Sequence, residues 1–348
     1  MVARMKQANL PEPGKLVLEE VDIPVPREGE VLVKVSRCGV CGSDISGFHG
    51  KHPYIHCPIV LGHEFSGTVT GAGPGVTGPA AGTRVTVIPH VVCGECDACH
   101  AQKYNCCGKL KVMGAQMTGA YAEYVNVPAE MALAIPSSVS MDDAALVEPA
   151  SVGYHAAGRG NVGPDDAILV MGAGPIGVFT MQACRALGAA RVLIADLDGS
   201  RLDLAGRLGA DGTIDLAREE LAEGLDRLAG GGGKIDLFFD CVGGRGDAFD
   251  AILRTARRGS RLVIVGVLYP DYQVPHLPDI VEHELSIAGT AMYTPRDYRE
   301  VIELMAAGEI RTAGIITHYY DFERIVDAFA RIESGQEKFF KIMFKMEP

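Results

Sequence analysis

Gly172-Ala173-Gly174-Pro175-Ile176-Gly177 is a G-x-G-x-x-G stretch set between two different local patterns. Before it runs Ile168-Leu169-Val170-Met171, a short apolar segment of strand character. After it, Pro175 to Leu187 carries helical spacing. Strand, glycine turn and helix in that order form the context in which this motif binds a dinucleotide. Gly172 permits the tight turn, Gly174 lets a pyrophosphate approach the backbone, and Gly177 lets the helix pack close to the strand. The N–H groups of the first helical turn, around Pro175 and Ile176, then face the phosphate charge. A second apolar run ends at Asp196, nineteen residues after Gly177. A carboxylate there accepts hydrogen bonds from both ribose hydroxyls and repels a 2′-phosphate, which favours NAD over NADP. Arg201, five residues further on, is a candidate for stacking on the adenine or reaching a phosphate.

Outward from the glycine turn, strand and helix patterns alternate with short links. Arg191 to Ala195, Thr213-Ile214, Ile235 to Asp240, Arg261 to Val265 and Leu285 to Ala288 read as strands. Ser200 to Leu208, Leu216 to Leu228 and Asp247 to Thr255 read as helices. Such alternation specifies an α/β fold with a parallel sheet covered on both faces. Residues before about 150 have another texture. Val31, Val33 and Val35 alternate with Leu32, Lys34 and Ser36, and Thr68 to Thr70 and Arg84 to Ile88 are further short strands between glycine- and proline-rich turns. Pro11, Pro13, Pro24 and Pro26 are expected to break the segments before the Val31–Val35 strand. The tail carries two amphipathic helices, Asp297 to Ala307 and Phe322 to Ile332, and a strand near Lys341 to Phe344. The run Gly230 to Gly233 reads as a flexible loop.

Composition narrows the function classes. The 348 residues are 47% apolar and carry a net charge of −12. That excludes a disordered chain and gives no overall attraction to nucleic acid or anionic membrane. No apolar run reaches the ~18 residues of a membrane span. Lys6, Gln7 and Asn9 interrupt any signal-peptide core at the N-terminus, so the cytoplasm is the expected address.

Five of the ten cysteines lie between residues 93 and 107. In a reducing compartment such clusters read as metal ligands. Cys93, Cys96, Cys99 and Cys107 have the spacing C-x2-C-x2-C-x7-C, suited to a closed tetrahedral zinc site with a structural role. Cys106 adjoins Cys107 and is an alternative fourth ligand. A nucleic-acid-binding zinc ribbon is disfavoured, because only Lys103, Lys109 and Lys111 supply positive charge nearby. A second constellation joins Cys41, His63 and Glu64, with Glu148 as a further carboxylate. Neighbouring side chains on a strand point to opposite faces, so His63 and Glu64 meet one metal only at a bend, for which Gly62 is suited. One thiolate, one imidazole and one or two carboxylates leave a coordination position open.

The Cys41-Gly42-Ser43-Asp44 and Gly62-His63-Glu64 stretches, the four-cysteine segment, Glu148-Pro149 and the glycine turn follow in one order. Together they resemble the zinc-dependent medium-chain dehydrogenase/reductases, the alcohol and polyol dehydrogenases, over nearly the whole chain. The resemblance implies a GroES-like, β-rich catalytic domain over residues 1–152, with its structural zinc lobe at about 90–110. It implies a Rossmann-type doubly wound NAD-binding domain over 153–290 and a return to the catalytic domain over 291–348. It also implies two zinc ions per chain and a homo-oligomer, dimer or tetramer. Cys41 and His63 are then ligands of the catalytic zinc, and Glu64 and Glu148 both remain candidates for the third. Ser43 matches the hydroxyl that relays the alcohol proton. Thr290 to Met292 matches the lining of the nicotinamide pocket, Val265 falls at the cofactor, and Lys341 falls where a basic residue meets the pyrophosphate.

One departure concerns the outer proton relay. Ser46 stands where many relatives have a histidine, although His49 and His52 are near. Glu148-Pro149 and the segment from Met292 to Leu304 are most similar to sorbitol, xylitol or butanediol dehydrogenases. The implied reaction is hydride transfer from a secondary alcohol, a polyol or vicinal diol, to NAD. The competing expectations are an amino-alcohol or cyclitol substrate, such as threonine, and a zinc-free reductase of enones or quinones. Cys38, Cys57, Cys184 and Cys241 read as packed thiols. His90, His100, His276, His283 and His318 read as structural or surface histidines.

Overall fold

A computed structural model describes residues 3–229, 234–274 and 277–346. The run Gly230 to Gly233 and His276 lie outside the described residues. The chain divides into two compact units. One comprises Met1–Glu148, Thr294–Ala306 and Ile315–Pro348; the other comprises Pro149–Tyr293 and Ala307–Gly314. The first division falls inside the helix Val147–Arg159. Residues 307–314 leave the tail for the second unit because Gln182 grips them. Its side-chain Nε2 donates to the Arg311 carbonyl at 3.0 Å, and its Oε1 accepts from the Arg311 N–H at 2.8 Å.

In the first unit, the strand Glu30–Gly39 is the hub of a seven-stranded sheet. It pairs antiparallel with Phe65–Ala72, Tyr124–Pro128 and Lys341–Lys345. Val31, Val33 and Val35 are fully buried along one face, as their alternation requires. A smaller sheet is built on the hairpin Arg4–Glu12 and Lys15–Asp22. Here the expectation from prolines needs correction. Pro11 lies inside the first strand of that hairpin, and the pairing shifts register between Asn9 and Glu12, so a bulge absorbs the missing N–H donor.

The second unit is a six-stranded, all-parallel sheet. In spatial order its strands are Gly212–Asp215, Arg191–Asp196, Ala167–Met171, Leu237–Asp240, Arg261–Ile264 and Ser286–Gly289. This is the doubly wound order with its switch point between the strands Ala167–Met171 and Leu237–Asp240, where ligands bind such sheets. Leu169, Met171, Leu193, Phe238, Phe249, Ile252 and Leu262 form part of its core. No helix among the described residues is long and apolar enough to cross a membrane.

Candidate functional site

Three strand ends in the first unit bring together residues far apart in sequence. The strand Glu30–Gly39 leads into Cys41, the strand Phe65–Ala72 starts immediately after His63 and Glu64, and the terminal strand starts at Lys341. Backbone pairing continues past these ends. The Gly39 N–H donates to the Glu64 carbonyl at 2.7 Å, and the Val40 N–H to the Ile342 carbonyl at 3.0 Å. Gly62 supplies the bend between the His63–Glu64 pair and the preceding chain. Its φ is +92°, and a Cβ there would lie 2.6 Å from the Tyr121 ring.

Cys41, His63 and Glu64 each offer a ligand atom, and these atoms lie within 4.8 Å of one another. A thiolate, an imidazole and a carboxylate at that spacing fit one zinc ion with a position left open. Glu148 is also buried but stands outside this group. Ser43 sits half-buried in the first turn of the helix Gly42–Phe48, two residues after Cys41.

Asp44, which was not singled out from the sequence, organises this group. It is fully buried, and its carboxylate accepts from the Cys41 N–H at 2.9 Å, the Gly62 N–H at 3.2 Å and the Tyr121 hydroxyl at 3.2 Å. Its Oδ1 lies 3.6 Å from His63 Nδ1. Burial works to raise the Asp44 pKa, but the His63 charge and the two N–H donors outweigh it and hold the carboxyl below its ordinary value. For His63, burial opposes protonation, and Asp44 and Cys41 together hold its pKa well above the usual imidazole range. With Asp44 on the Nδ1 side, Nε2 is the nitrogen left for a metal. The sequence signal for Asp44 was its place three residues after an extended Cys41 at a helix start, where a side chain reaches back to the Cys41 N–H.

Lys341 requires a correction. It was expected at the cofactor pyrophosphate. Its ammonium is instead buried in the first unit, donating to Glu64 Oε1 at 2.8 Å, Glu64 Oε2 at 2.7 Å and the Val40 carbonyl at 3.0 Å. All three donors are used, and none remains for a phosphate. Of the two histidines near the relay position, His49 pairs with Glu333 at 3.0 Å. The His52 pKa is lowered, first by burial and then by the charge of His63. Its Nδ1 accepts from the Tyr54 N–H at 3.3 Å.

Cys93, Cys96, Cys99 and Cys107 offer sulfurs that also lie within 4.8 Å of one another. Three of the separations are 3.9 Å for Cys93–Cys99, 3.6 Å for Cys96–Cys99 and 3.5 Å for Cys107–Cys93. A tetrahedral zinc with Zn–S bonds of about 2.3 Å sets its sulfurs about 3.8 Å apart, so the four fit a closed zinc site. The Cys93 and Lys109 N–H groups each point at the Cys107 sulfur from 3.4 Å. Cys106 is exposed and stands outside the group, so the geometry selects Cys107.

In the second unit, the glycine turn has the form its sequence demands. Gly172 has φ +93°, and a Cβ there would meet Val242 at 2.8 Å. A Cβ on Gly177 would lie 1.8 Å from the Gly172 carbonyl oxygen, so the helix Pro175–Ala186 approaches the turn at a distance only glycine allows. Gly174 caps that helix and has open space on its Cβ side, where the first atom met is Arg201 Nη1 at 4.0 Å. Pro175 opens the helix, followed by Ile176. Asp196 points back at the turn. Its Oδ2 accepts from the Ala173 N–H at 2.6 Å, its Oδ1 from the Asp198 N–H at 2.8 Å, and Arg201 Nη1 lies 3.9 Å away.

Beyond the next strands, the Val265 N–H donates to the Asp240 carbonyl at 2.9 Å, and the Thr290 N–H to the Ile264 carbonyl at 3.2 Å. The Thr290 hydroxyl is buried without a hydrogen-bond partner among the described residues. Met292 has φ +50°, a left-handed conformation that is strained for a residue with a side chain. Asp240, also missed from the sequence, ends the fourth strand. Its Oδ1 accepts from the Val242 and Gly243 N–H groups at 2.9 and 3.2 Å, which holds Val242 over Gly172.

Comparison with known proteins agrees with these features. Residues 27–137 match the alcohol dehydrogenase GroES-like domain, and residues 175–307 match the zinc-binding dehydrogenase family. A sorbitol dehydrogenase of Bacillus subtilis (strain 168) is 32% identical over 345 residues, covering 97% of this chain and 96% of the relative. A solved structure of a short chain alcohol dehydrogenase from Escherichia coli CFT073, complexed with NADH, superposes with a TM-score of 0.91 at 32% identity, covering 99% of this chain and 100% of that one. A structure from Sinorhizobium meliloti 1021, described as a zinc-binding dehydrogenase bound to NADP, gives a TM-score of 0.91 at 30% identity, covering 99% of each chain. With the dinucleotide turn, the four-cysteine lobe and the Cys41–His63–Glu64 group in place, the chain belongs to the zinc-type medium-chain dehydrogenase/reductase family.

Proposed function

We propose that this protein oxidises a secondary alcohol with NAD, using a zinc ion held by Cys41, His63 and a carboxylate, and that its substrate is a polyol or vicinal diol. The observation that carries the reading is the convergence of the Cys41, His63 and Glu64 donor atoms within 4.8 Å. A zinc-free reductase of enones or quinones has no use for that donor set. The substrate class rests on the sorbitol dehydrogenase relative and on relatives named as an L-galactonate-5-dehydrogenase and a D-arabitol-phosphate dehydrogenase.

When bound, zinc lowers the pKa of the alcohol, and NAD accepts the carbinol hydrogen as hydride. The chain supplies the remainder. Asp44 holds the His63 ring and the Cys41 turn in place. Ser43 relays the hydroxyl proton, accepting it as it gives up its own toward solvent. Gly172, Gly174 and Gly177 admit the pyrophosphate against the helix start. Asp196 meets the adenosine ribose and disfavours a 2′-phosphate, with Arg201 beside it. Val265, Thr290 and Met292 line the nicotinamide end. A second zinc in the four-cysteine lobe is structural, and the protein works as a homo-oligomer.

The test is a panel of polyols, vicinal diols, amino alcohols and cyclitols, each with NAD and with NADP, followed by absorbance of the reduced cofactor. The expected result is turnover of polyols or diols with a higher kcat/KM for NAD. Turnover confined to amino alcohols or cyclitols, or a preference for NADP, would refute the corresponding part of the reading.

A further inference from the structure

We propose that Lys341 sets how tightly the catalytic site holds its metal ion, by competing with that ion for Glu64. The inference rests on the reading of Cys41, His63 and Glu64 as metal ligands and concerns what else claims one of them.

The Glu64 carboxylate faces two cations. Its oxygen belongs to the donor group with Cys41 and His63, yet both of its oxygens accept from Lys341 Nζ, at 2.8 and 2.7 Å. The third Lys341 donor is anchored on the Val40 carbonyl at 3.0 Å, one residue past the end of the strand Glu30–Gly39 and next to Cys41. Both side chains are almost wholly buried, 5% exposed for Lys341 and 1% for Glu64, so water does not screen the pair. The carboxylate is also confined sterically. A Cβ on Gly39 would lie 2.3 Å from Glu64 Oε2, so the space Glu64 occupies exists only because residue 39 is glycine. The terminal strand fixes the lysine from its side, through its pairing of Met343 with Gly39 and Phe344 with Cys38.

An ammonium in this position has two effects on a dication arriving at Cys41 and His63. It repels the ion across a buried, weakly screened gap. By bonding once to each Glu64 oxygen it also draws off electron density and fixes the carboxylate's orientation, which weakens a Zn–O bond through the lone pairs that remain. Lys341 therefore acts as a positioning residue that holds Glu64 partly away from the ion. Its removal frees the carboxylate and removes the repulsion. The predicted direction is unusual: deleting a buried, bonded lysine strengthens metal retention, whereas mere structural damage at the site would weaken it.

The experiment follows zinc release from the whole protein to a chromogenic chelator. Cys41→Ala first identifies which release phase belongs to this site; if that variant keeps every phase, the metal-site reading itself fails, separately from the role of Lys341. Given that assignment, Lys341→Met is expected to slow the Cys41-dependent phase about tenfold or more, and Lys341→Arg to keep the wild-type rate. Lys341→Gln retains an N–H donor for Glu64 without the charge, and is expected to slow release in the same direction if the methionine variant does not fold. Release from either neutral variant at the wild-type rate or faster would overturn the proposal.

Discussion

Asp44 Oδ1 lies 3.6 Å from His63 Nδ1, with the Asp44 side chain wholly shielded from solvent. The same carboxylate receives the Cys41 and Gly62 N–H groups. One buried residue thus orients two of the three candidate metal ligands and the bend that presents the third. Asp44→Asn keeps the shape and removes the charge. It is expected to weaken retention of the catalytic zinc about 10- to 100-fold, the usual effect of losing a carboxylate behind a ligating histidine. Zinc content after dialysis against a chelator measures this; a variant retaining wild-type zinc would contradict the assignment.

Much of this site was legible in the sequence because its signals are local. The glycine turn depends on six consecutive residues and the patterns beside them, and the four-cysteine lobe on the spacing from 93 to 107. The contact of Lys341 with Glu64 was not legible. It depends on the terminal strand pairing with the strand Glu30–Gly39, a relationship between segments about 300 residues apart that no local pattern records. The hairpin Arg4–Asp22 was obscured for another reason. Only Met5, Ala8, Leu10 and Leu16 of its strands are buried, and its register shift interrupts the period of two. Asp44 carries no local signal of its role beyond its place after Cys41, because that role depends on Gly62 and Tyr121, which the fold brings against it from 18 and 77 residues away.

The four cysteine sulfurs lie within 4.8 Å of one another, as do the Cys41, His63 and Glu64 donor atoms, so substitutions test the two groups separately. Cys96→Ala breaks a closed sulfur set and is expected to lower zinc content by about one ion per chain and to reduce Tm. Cys106→Ala, which alters an exposed thiol outside the set, is expected to change neither. Metal analysis with thermal unfolding of both variants distinguishes them, and equal behaviour of the pair would contradict the ligand assignment.

His90 gives the fold a pH dependence of defined sign. It is fully buried, and burial lowers its pKa to about 4. Folding therefore favours the neutral ring. The contribution is fully present above the unfolded imidazole pKa near 6.5, and is lost as pH falls from there toward 4. The size of that loss is about 3 kcal/mol. Denaturant unfolding at pH 7 and at pH 4.5 is expected to show a smaller loss of stability for His90→Gln than for the wild type. An equal loss in both would show that His90 is not the group responsible.

Asp196 is held by the Ala173 and Asp198 N–H groups at the mouth of the glycine turn. Asp196→Ala is expected to raise KM for NAD about tenfold, and to narrow the gap between NAD and NADP by removing the repulsion of a 2′-phosphate. Steady-state kinetics with both cofactors measures it; an unchanged NAD/NADP ratio would count against a role for Asp196 in selectivity.

The central claim is that Cys41 and His63 hold the ion that activates the alcohol for hydride transfer. Zinc content and polyol-dependent reduction of NAD, measured together on Cys41→Ala, test it most directly. The account predicts loss of about one zinc per chain and of turnover, with the four-cysteine zinc and the thermal stability largely kept. Wild-type turnover, or an undiminished zinc content, would contradict it.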